Sequence, residues 1–212
     1  MLYAGRLLDR LLASGCKVHL SISPAAQIVM EEELTLNIDL ENFIPEMLLD
    51  EVRQRWLPSD SSSSNQAASE AIENSITHDG QLCGEIVYHN YRDFRSPIAS
   101  GSFPTKAMVV CPCSGSTLSA IAHASAGNLI QRAAEVHLKE RRKLVLVPRE
   151  TPLSTLQLEN MLRVSQAGAV VLPAAPGFYH GATRVEDLVD FVVSRICDQL
   201  ELDNSLIHRW GT

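Results

Sequence analysis

The chain has 212 residues, 45% of them hydrophobic, and a formal net charge of −7 at pH 7. This length suits one domain with a substantial core, and the acidic balance, with no basic block to offset it, argues against nucleic acid as the main partner. No apolar run is long enough to span a bilayer and no signal-peptide pattern opens the chain, so we expect a cytoplasmic protein without membrane association. The 5 cysteines are an odd number at irregular spacing, which disfavours a disulfide framework and favours thiols packed as small apolar groups.

The chain is predicted to open with a helix rather than with a strand. Leucines at positions 7, 8, 11 and 12 have helical spacing, and Ser14-Gly15 ends the helix. Residues 17–22 alternate like a strand. Ser23-Pro24 then begins a second helix, because serine caps free backbone N–H groups and proline suits the first turn. The acidic residues 31–33 are expected to form a solvated face.

An amphipathic helix is predicted over residues 45–56. The polar, low-complexity residues that follow cannot bury anything, so we expect a disordered insertion at about 58–80 within a single domain spanning 1–212. Residues 85–88 form a short predicted strand, and residues 96–102 form a Gly/Ser turn region.

The central stretch, residues 107–152, has the pattern of a βαβ unit. A strand (107–112) leads into a small-residue loop (113–117), a helical segment follows to residue 142, and a second strand (143–147) ends in a charged loop. A helix (154–167), a strand (169–172), a loop (173–180) and a long helix (184–200) complete the chain. Strands that alternate with helices predict an α/β fold, a doubly wound, mostly parallel, Rossmann-like sheet in three α/β/α layers. Ligands bind such sheets at the carboxyl ends of the strands.

Polar loops follow two neighbouring predicted strands. The first contains Ser114, Gly115, Ser116 and Thr117, and it opens a helix, where hydroxyls and free N–H groups suit an anion or a polar ring edge. Many ordinary βα turns share this composition. Arg149 and Glu150 follow the next strand, and the arginine fork matches phosphate geometry. The alternative for this pair is a surface ion pair.

Three further side chains are candidates for binding an anion. Lys139 ends a helix, where a cation complements the helix dipole. Tyr179 follows the last strand, although a packing role is the alternative. Arg195 lies mid-helix among apolar residues and needs a partner, either a structural carboxylate or a bound phosphate. The histidines at 123, 137 and 180 lack metal-ligand spacing, so we expect no metal.

Taken together, these motifs resemble the flavin prenyltransferase (UbiX) family over nearly the whole chain. The resemblance is carried by residues 23–26, 98–103, 112–118, 132–135, 138–141, 147–153, 176–180 and 209–210. The segment 147–153 with 178–180 some way downstream is highly specific. The resemblance implies a Rossmann-like flavoprotein that binds FMN and transfers a dimethylallyl group from dimethylallyl phosphate to N5 and C6 of the reduced flavin without a metal. It also implies a homo-oligomer, with a dodecamer as the candidate size, that shares its flavin site between subunits and supplies prenylated FMN to a UbiD-type decarboxylase.

The same resemblance assigns roles to individual residues. Flavin contacts are implied for Ser23, Ser114, Gly115, Ser116, Thr117 and Arg149, and prenyl-phosphate contacts for Lys139, Tyr179 and Arg195. Arg132, Glu150 and Trp210 match residues that line the same site, with Glu150 as the candidate for proton traffic. We therefore expect Lys139, Arg149, Tyr179 and Arg195 to share one phosphate, within a chain or across a subunit contact.

Two departures from the family pattern affect these expectations. The family begins with a strand and a glycine-rich turn that cradles the FMN phosphate, and this sequence begins just after that point. We expect that the true start lies upstream of Met1; otherwise FMN affinity and stability should be poor. Ser116 stands where many members have a lysine, while others have small residues.

Three alternatives remain open from the sequence. One is an FMN-dependent cysteine-type decarboxylase of the same superfamily, whose Pro-Ala-Met-Asn loop is not seen here. Another is an inactive flavin-binding subunit that lacks the phosphate loop. The third is a generic nucleotide-binding α/β domain, which neither a GxGxxG motif nor a P-loop supports.

Overall fold

The structure, a computed structural model, describes residues 1–57, 84–209 and 211. The first half opens with a helix, as predicted: α1 spans Leu2–Ala13, followed by strand β1 at Lys17–Leu20, α2 at Pro24–Leu34 and α3 at Pro45–Trp56. Ser23 caps α2 as expected, since its Oγ accepts a hydrogen bond from the Ala26 N–H at 3.2 Å. The predicted insertion lies outside the described residues, and so does Trp210.

The second half alternates strands and helices. Its elements are β2 at Glu85–Tyr88, a 3-10 turn at Pro97–Ala99, β3 at Ala107–Cys113, α4 at Gly115–Ala122, α5 at Leu129–Lys139, β4 at Lys143–Pro148, α6 at Thr155–Gln166, β5 at Val170–Val171 and α7 at Val185–Gln199. None of the described helices has both the length and the apolar character needed to cross a membrane.

The prediction of a single helical segment between β3 and β4 is wrong, because the chain forms two helices there. Ala124 has a φ of 51°, which interrupts the first helix. Asn128 then starts α5, and its side chain accepts a hydrogen bond from the Gln131 N–H at 3.0 Å. An asparagine side chain that bonds to nearby backbone N–H groups favours the start of a new helix over continuation of the preceding one. The break between α4 and α5 is therefore encoded by local residues.

The predicted parallel arrangement of strands is confirmed, but the described strands lie in two sheets rather than one. β1 pairs with β2 in parallel, with Lys17 opposite Glu85. The other sheet has the order β3-β4-β5, with Ala107 opposite Lys143, and both of its pairings are parallel. β1 and β3 each lie at the end of their sheet, and no described strand bonds to both. The carboxyl ends of β1, β3 and β4 all lead into polar loops, and these loops carry the candidate site residues Ser23, Ser114 and Arg149.

Helix α1 lies between two parts of the core. Leu8 and Leu12 pack with residues of α2 and α3, whereas Leu7 packs with residues of β4 and α7. A Cβ on Gly5 would collide with Val52 Cγ2, so the absence of a side chain lets α1 and α3 approach closely. This sharing of one helix by two clusters joins the first half of the chain to the central strand β4.

A buried ion network also runs through α1. Arg6, only 7% exposed, directs Nε to Asp190 Oδ1 at 2.7 Å and Nη1 to Asp9 Oδ2 at 3.3 Å. Asp9 Oδ1 lies 2.8 Å from Arg53 Nε. Trp56 donates from Nε1 to Asp190 Oδ2 at 3.0 Å, and the guanidinium of Arg6 lies 4.7 Å from the centre of its ring. The network ties α1, α3 and α7 together through paired charges, although Nη2 of Arg53 is buried without a hydrogen-bond partner.

Candidate functional site

The turn after β3 is organised by the side chain of Ser114. Its Oγ accepts a hydrogen bond from the Thr117 N–H at 3.3 Å and donates to Thr117 Oγ1 at 3.1 Å. Ser116 Oγ lies 3.0 Å from Ser114 Oγ. Three hydroxyls therefore cluster at the N-terminus of α4, where backbone N–H groups favour an anion or an electron-rich ring edge. The predicted position of this turn, after a strand and before a helix, is confirmed.

Gln157, which the sequence did not single out, connects this turn to the charged loop after β4. Its Nε2 donates to Glu150 Oε2 at 3.2 Å, and its Oε1 accepts from the Ser154 N–H at 2.8 Å. A Cβ on Gly115 would lie 3.0 Å from the same Nε2. Gln157 thus orients Glu150 towards the start of α4. The available signal was the capping pattern, a serine followed three residues later by glutamine.

Arg149 extends from the carboxyl end of β4 and pairs with Glu33, with Nη1 2.6 Å from Oε1. Glu33 also pairs with the amino group of Met1. Residues 31–33 are exposed, as expected, and Glu33 also forms these two ion pairs because the end of α2 approaches β4. Burial, together with the charge of Arg149, lowers the pKa of the Met1 amine to about 6. Arg149 itself is partly exposed and can reach a ligand at this edge.

Arg132 and Lys139 form a second group against the loop that precedes β3. Arg132 Nε donates to the Ala99 carbonyl at 3.1 Å. A Cβ on Gly101 would lie 2.5 Å from Lys139 Nζ, and Lys139 forms an ion pair with Glu140. These two cations therefore lie along one side of α5, beside residues 99–101.

Tyr179 and Arg195 lie near a third position, around Phe191 of α7. The ring of Tyr179 meets that of Phe191 edge-on, with centroids 5.6 Å apart. A cavity of ≈ 290 Å³ between β5 and α7 is lined by Phe191 and Arg195, among others. Arg195 is exposed rather than enclosed by apolar residues, and its Nη1 lies 2.7 Å from Asp198 Oδ2. The sequence left open whether Arg195 pairs with a structural carboxylate or with a bound phosphate, and in the fold it pairs with a carboxylate.

One chain brings some of the predicted site residues together and separates others. Gln157 lies between Glu150 and the turn at 114–117, and Arg132 and Lys139 lie beside the same loop. Lys139, however, precedes β4, whereas Arg149 follows it, and the 6 residues of that strand span roughly 20 Å. A single phosphate cannot contact both ends of one strand, so these two cations meet the same anion only if they come from different chains.

Burial keeps three of the described thiols neutral. It raises the pKa of Cys111 and of Cys113 to about 12, and that of Cys197 to about 11. The interpretation of these cysteines as packed apolar groups agrees with this. Within residues 1–57, 84–209 and 211, no cluster of three or more His, Cys, Asp or Glu side chains could hold a metal ion.

Parallel strands that end in a hydroxyl-rich turn and an arginine loop define the class of protein: an α/β protein that binds a phosphate-bearing ring compound at its strand ends. The Flavoprotein family model matches residues 1–197. The flavin prenyltransferase UbiX of Pseudomonas aeruginosa is 45% identical over 210 residues, which is 99% of this chain and 88% of that protein. The UbiX of Alkalihalophilus pseudofirmus is 41% identical over 99% of this chain and 90% of its own length.

Solved structures agree with these sequence matches. A UbiX protein in complex with FMN and dimethylallyl pyrophosphate has a TM-score of 0.72 at 33% identity, covering 98% of this chain and 92% of that one. A dodecameric FMN-dependent UbiX-like decarboxylase from Escherichia coli O157:H7 has a TM-score of 0.70 at 33% identity, covering 98% and 94%. The chain belongs to the Flavoprotein family, among the UbiX flavin prenyltransferases.

Proposed function

We propose that this chain transfers a dimethylallyl group from dimethylallyl phosphate to N5 and C6 of reduced FMN. The observation that carries the proposal is the contact between Gln157 and Glu150, which directs a carboxylate towards the Ser114 turn in a chain 45% identical to a flavin prenyltransferase over nearly its whole length. The product, prenylated FMN, serves a UbiD-type decarboxylase in the cytoplasm.

The residues at the carboxyl edge suit a flavin. The hydroxyls and N–H groups of 114–117 offer several donors and acceptors to the polar edge of an isoalloxazine ring, and Ser23 caps the helix after β1 at the same edge. Arg149 adds a positive charge within reach. Reduced FMN supplies the nucleophilic N5. The side chains of this chain orient it and exclude water.

The phosphate ligands explain why no metal is needed in this proposal. Breaking the allylic C–O bond sends its electron pair to the phosphate, so donors that are already in place stabilise the charge that builds there. Lys139, Tyr179 and Arg195 supply an ammonium, a hydroxyl and a guanidinium. Aromatic faces stabilise the allylic cation that remains. Glu150, held by Gln157, is positioned to move a proton at the flavin.

We further propose that neighbouring copies of the chain complete the site. Lys139 and Arg149 lie at opposite ends of β4, so a phosphate that both contact must lie between two chains. Helix α6 also exposes Leu158 and Leu162, at 51% and 60%, one turn apart on one face. Exposed apolar patches of this kind often mark interfaces. A homo-oligomer, such as the dodecamer of the structural relative, accounts for both features.

The direct test is to incubate the protein with reduced FMN and dimethylallyl phosphate under anaerobic conditions and to measure the mass of the flavin. The expected result is the mass increase of one added dimethylallyl group. Samples without the prenyl donor, and samples without protein, should leave the flavin unchanged. An unchanged flavin at protein concentrations equal to that of FMN would overturn the proposal.

A further inference from the structure

Asp198, on the last turn of α7, receives two guanidinium groups. Its Oδ2 lies 2.7 Å from Arg195 Nη1. Arg209 approaches the same carboxylate with both terminal nitrogens, Nη2 at 2.8 Å from Oδ1 and Nη1 at 3.3 Å from Oδ2. Asn204 Nδ2 donates to Oδ1 at 3.1 Å. One carboxylate thus joins Arg195, on the helix, to the segment 202–209 that follows it.

Asp198 is ionised at neutral pH. Burial by itself would raise its pKa, but hydrogen bonds from Arg209 and Asn204 and the positive charges of Arg209 and Arg195 outweigh burial and lower the pKa below its ordinary value of 3.8. The carboxylate therefore holds both guanidinium groups through charge-assisted hydrogen bonds, which are stronger than neutral ones.

This arrangement leaves Arg195 able to meet an anion. The contact to Asp198 uses Nη1, an arginine carries five N–H donors, and 50% of the Arg195 side chain is exposed. Arg195, Asp198 and Arg209 together carry a net charge of about +1, whereas Arg195 and Asp198 alone would be neutral. Arg209 therefore offsets the negative charge that Asp198 would otherwise present to a phosphate bound by Arg195.

We propose that Asp198 is a positioning residue for the prenyl phosphate: it holds Arg195 in one orientation and, through Arg209, couples that orientation to the docking of segment 202–209 on α7. The inference rests on the proposed function, because it takes Arg195 as a phosphate ligand. A guanidinium that is already held loses less rotational freedom when the anion binds. If Asp198 merely competed with the phosphate, its removal would strengthen binding instead of weakening it.

The test compares Asp198→Asn, which keeps the shape and removes the charge, with Glu201→Gln as the matched control. Glu201 lies at the same end of α7 and pairs with Lys143 at 3.0 Å. In Asp198→Asn, the KM for dimethylallyl phosphate should rise roughly threefold to tenfold, while kcat changes less. A rise of this size corresponds to the cost of immobilising one long side chain when the phosphate binds. Asp198→Glu should recover part of the loss. Glu201→Gln should keep the wild-type KM.

A second readout follows the docking of the segment itself. Trypsin cleaves after arginine, and Arg209 is held by Asp198 in the intact protein. Cleavage after Arg209, measured by mass spectrometry on the folded protein, should therefore be faster in Asp198→Asn than in wild type or Glu201→Gln. Equal rates in all three proteins would show that Asp198 does not dock the segment.

The outcomes separate this inference from the proposed function. A KM in Asp198→Asn that stays unchanged, that falls, or that Glu201→Gln reproduces overturns the positioning role while prenylation itself stands. Absence of any flavin mass increase in the wild type overturns the proposed function. In that case the trypsin assay still reports whether Asp198 docks the segment.

Discussion

Arg6 Nε lies 2.7 Å from Asp190 Oδ1, so the first helix of the chain is tied to the last. In Asp190→Ala, the buried guanidinium of Arg6 and the Nε1 of Trp56 lose their shared acceptor. Breaking a buried pair from one side costs about 3–5 kcal/mol, and we expect a loss of that size in the free energy of unfolding, measured by urea denaturation. Glu186→Ala removes a partly exposed partner of Arg184 on the same helix and should cost less than about 1 kcal/mol. Equal losses would contradict the structural role assigned to Asp190.

The role of Arg195 can be tested by turnover. Arg195→Ala removes one fixed donor to the leaving phosphate, and such a donor is worth a factor of about 10²–10³ in kcat. The matched control is Arg184→Ala, since Arg184 is a similarly exposed arginine at the other end of α7. It should retain turnover close to that of the wild type. Wild-type turnover in Arg195→Ala would show that Arg195 does not bind the leaving phosphate.

Gln157 should matter for activity beyond its role in the helix cap. Gln157→Ala and Ser154→Ala both break the capping box of α6 and should each cost about 1 kcal/mol of stability. Only Gln157→Ala also releases Glu150, so kcat/KM for prenylation should fall about tenfold more in that variant. If the two variants lose activity equally, the orientation of Glu150 by Gln157 has no catalytic consequence.

Gly101 tests the position of Lys139. The nearest atoms to a Cβ at Gly101 are the ends of the Lys139 and Glu140 side chains, which can move away, so Gly101→Ala should change stability by less than about 0.5 kcal/mol. Lys139 must then shift, and the KM for dimethylallyl phosphate should rise about tenfold. Gly127→Ala is the control, because its Cβ would meet Gln131 at an ordinary 3.5 Å. A stable Gly101→Ala protein with a wild-type KM would argue against Lys139 as a phosphate ligand.

A pair of histidines predicts how stability depends on pH. His19 Nδ1 lies 2.9 Å from His89 Nε2, with the rings stacked, and Ser96 Oγ lies 2.9 Å from His89 Nδ1. Burial lowers the pKa of both histidines; Lys17 adds to the effect on His19, and His19 adds to the effect on His89. The unfolded chain therefore binds protons that the folded chain does not.

Stability should accordingly be complete above the ordinary histidine pKa of 6.5 and fall as the pH drops below it towards the lowered values. His89→Gln should flatten the dependence of the urea midpoint on pH between about 7.5 and 5.5. His208→Gln changes an exposed histidine and should keep the wild-type slope. A wild-type slope in His89→Gln would mean that other groups cause the loss of stability.

The sequence predicted local features better than long-range ones. The cap at Ser23 and the position of Arg149 after β4 follow from patterns of a few residues, and both are found. The break before Asn128 was missed, although a capping residue marks it. The pairing of Glu33 with Arg149 and the division of the strands into two sheets depend on how distant elements pack, which periodicity does not encode. The exposure of Arg195 depends on which side of α7 meets β4: Val192 and Ile196 are buried on that side, and Arg195 lies outside it.

The buried thiols have a practical consequence for chemical labelling. Alkylating reagents attack the thiolate, and Cys111 and Cys113, with pKa values of about 12, stay protonated at the pH at which such reagents are used. A maleimide dye should therefore spare both, even though they directly precede the hydroxyl turn. Fluorescent attachment at a chosen surface position can then report ligand binding without modifying the strand that leads into the site.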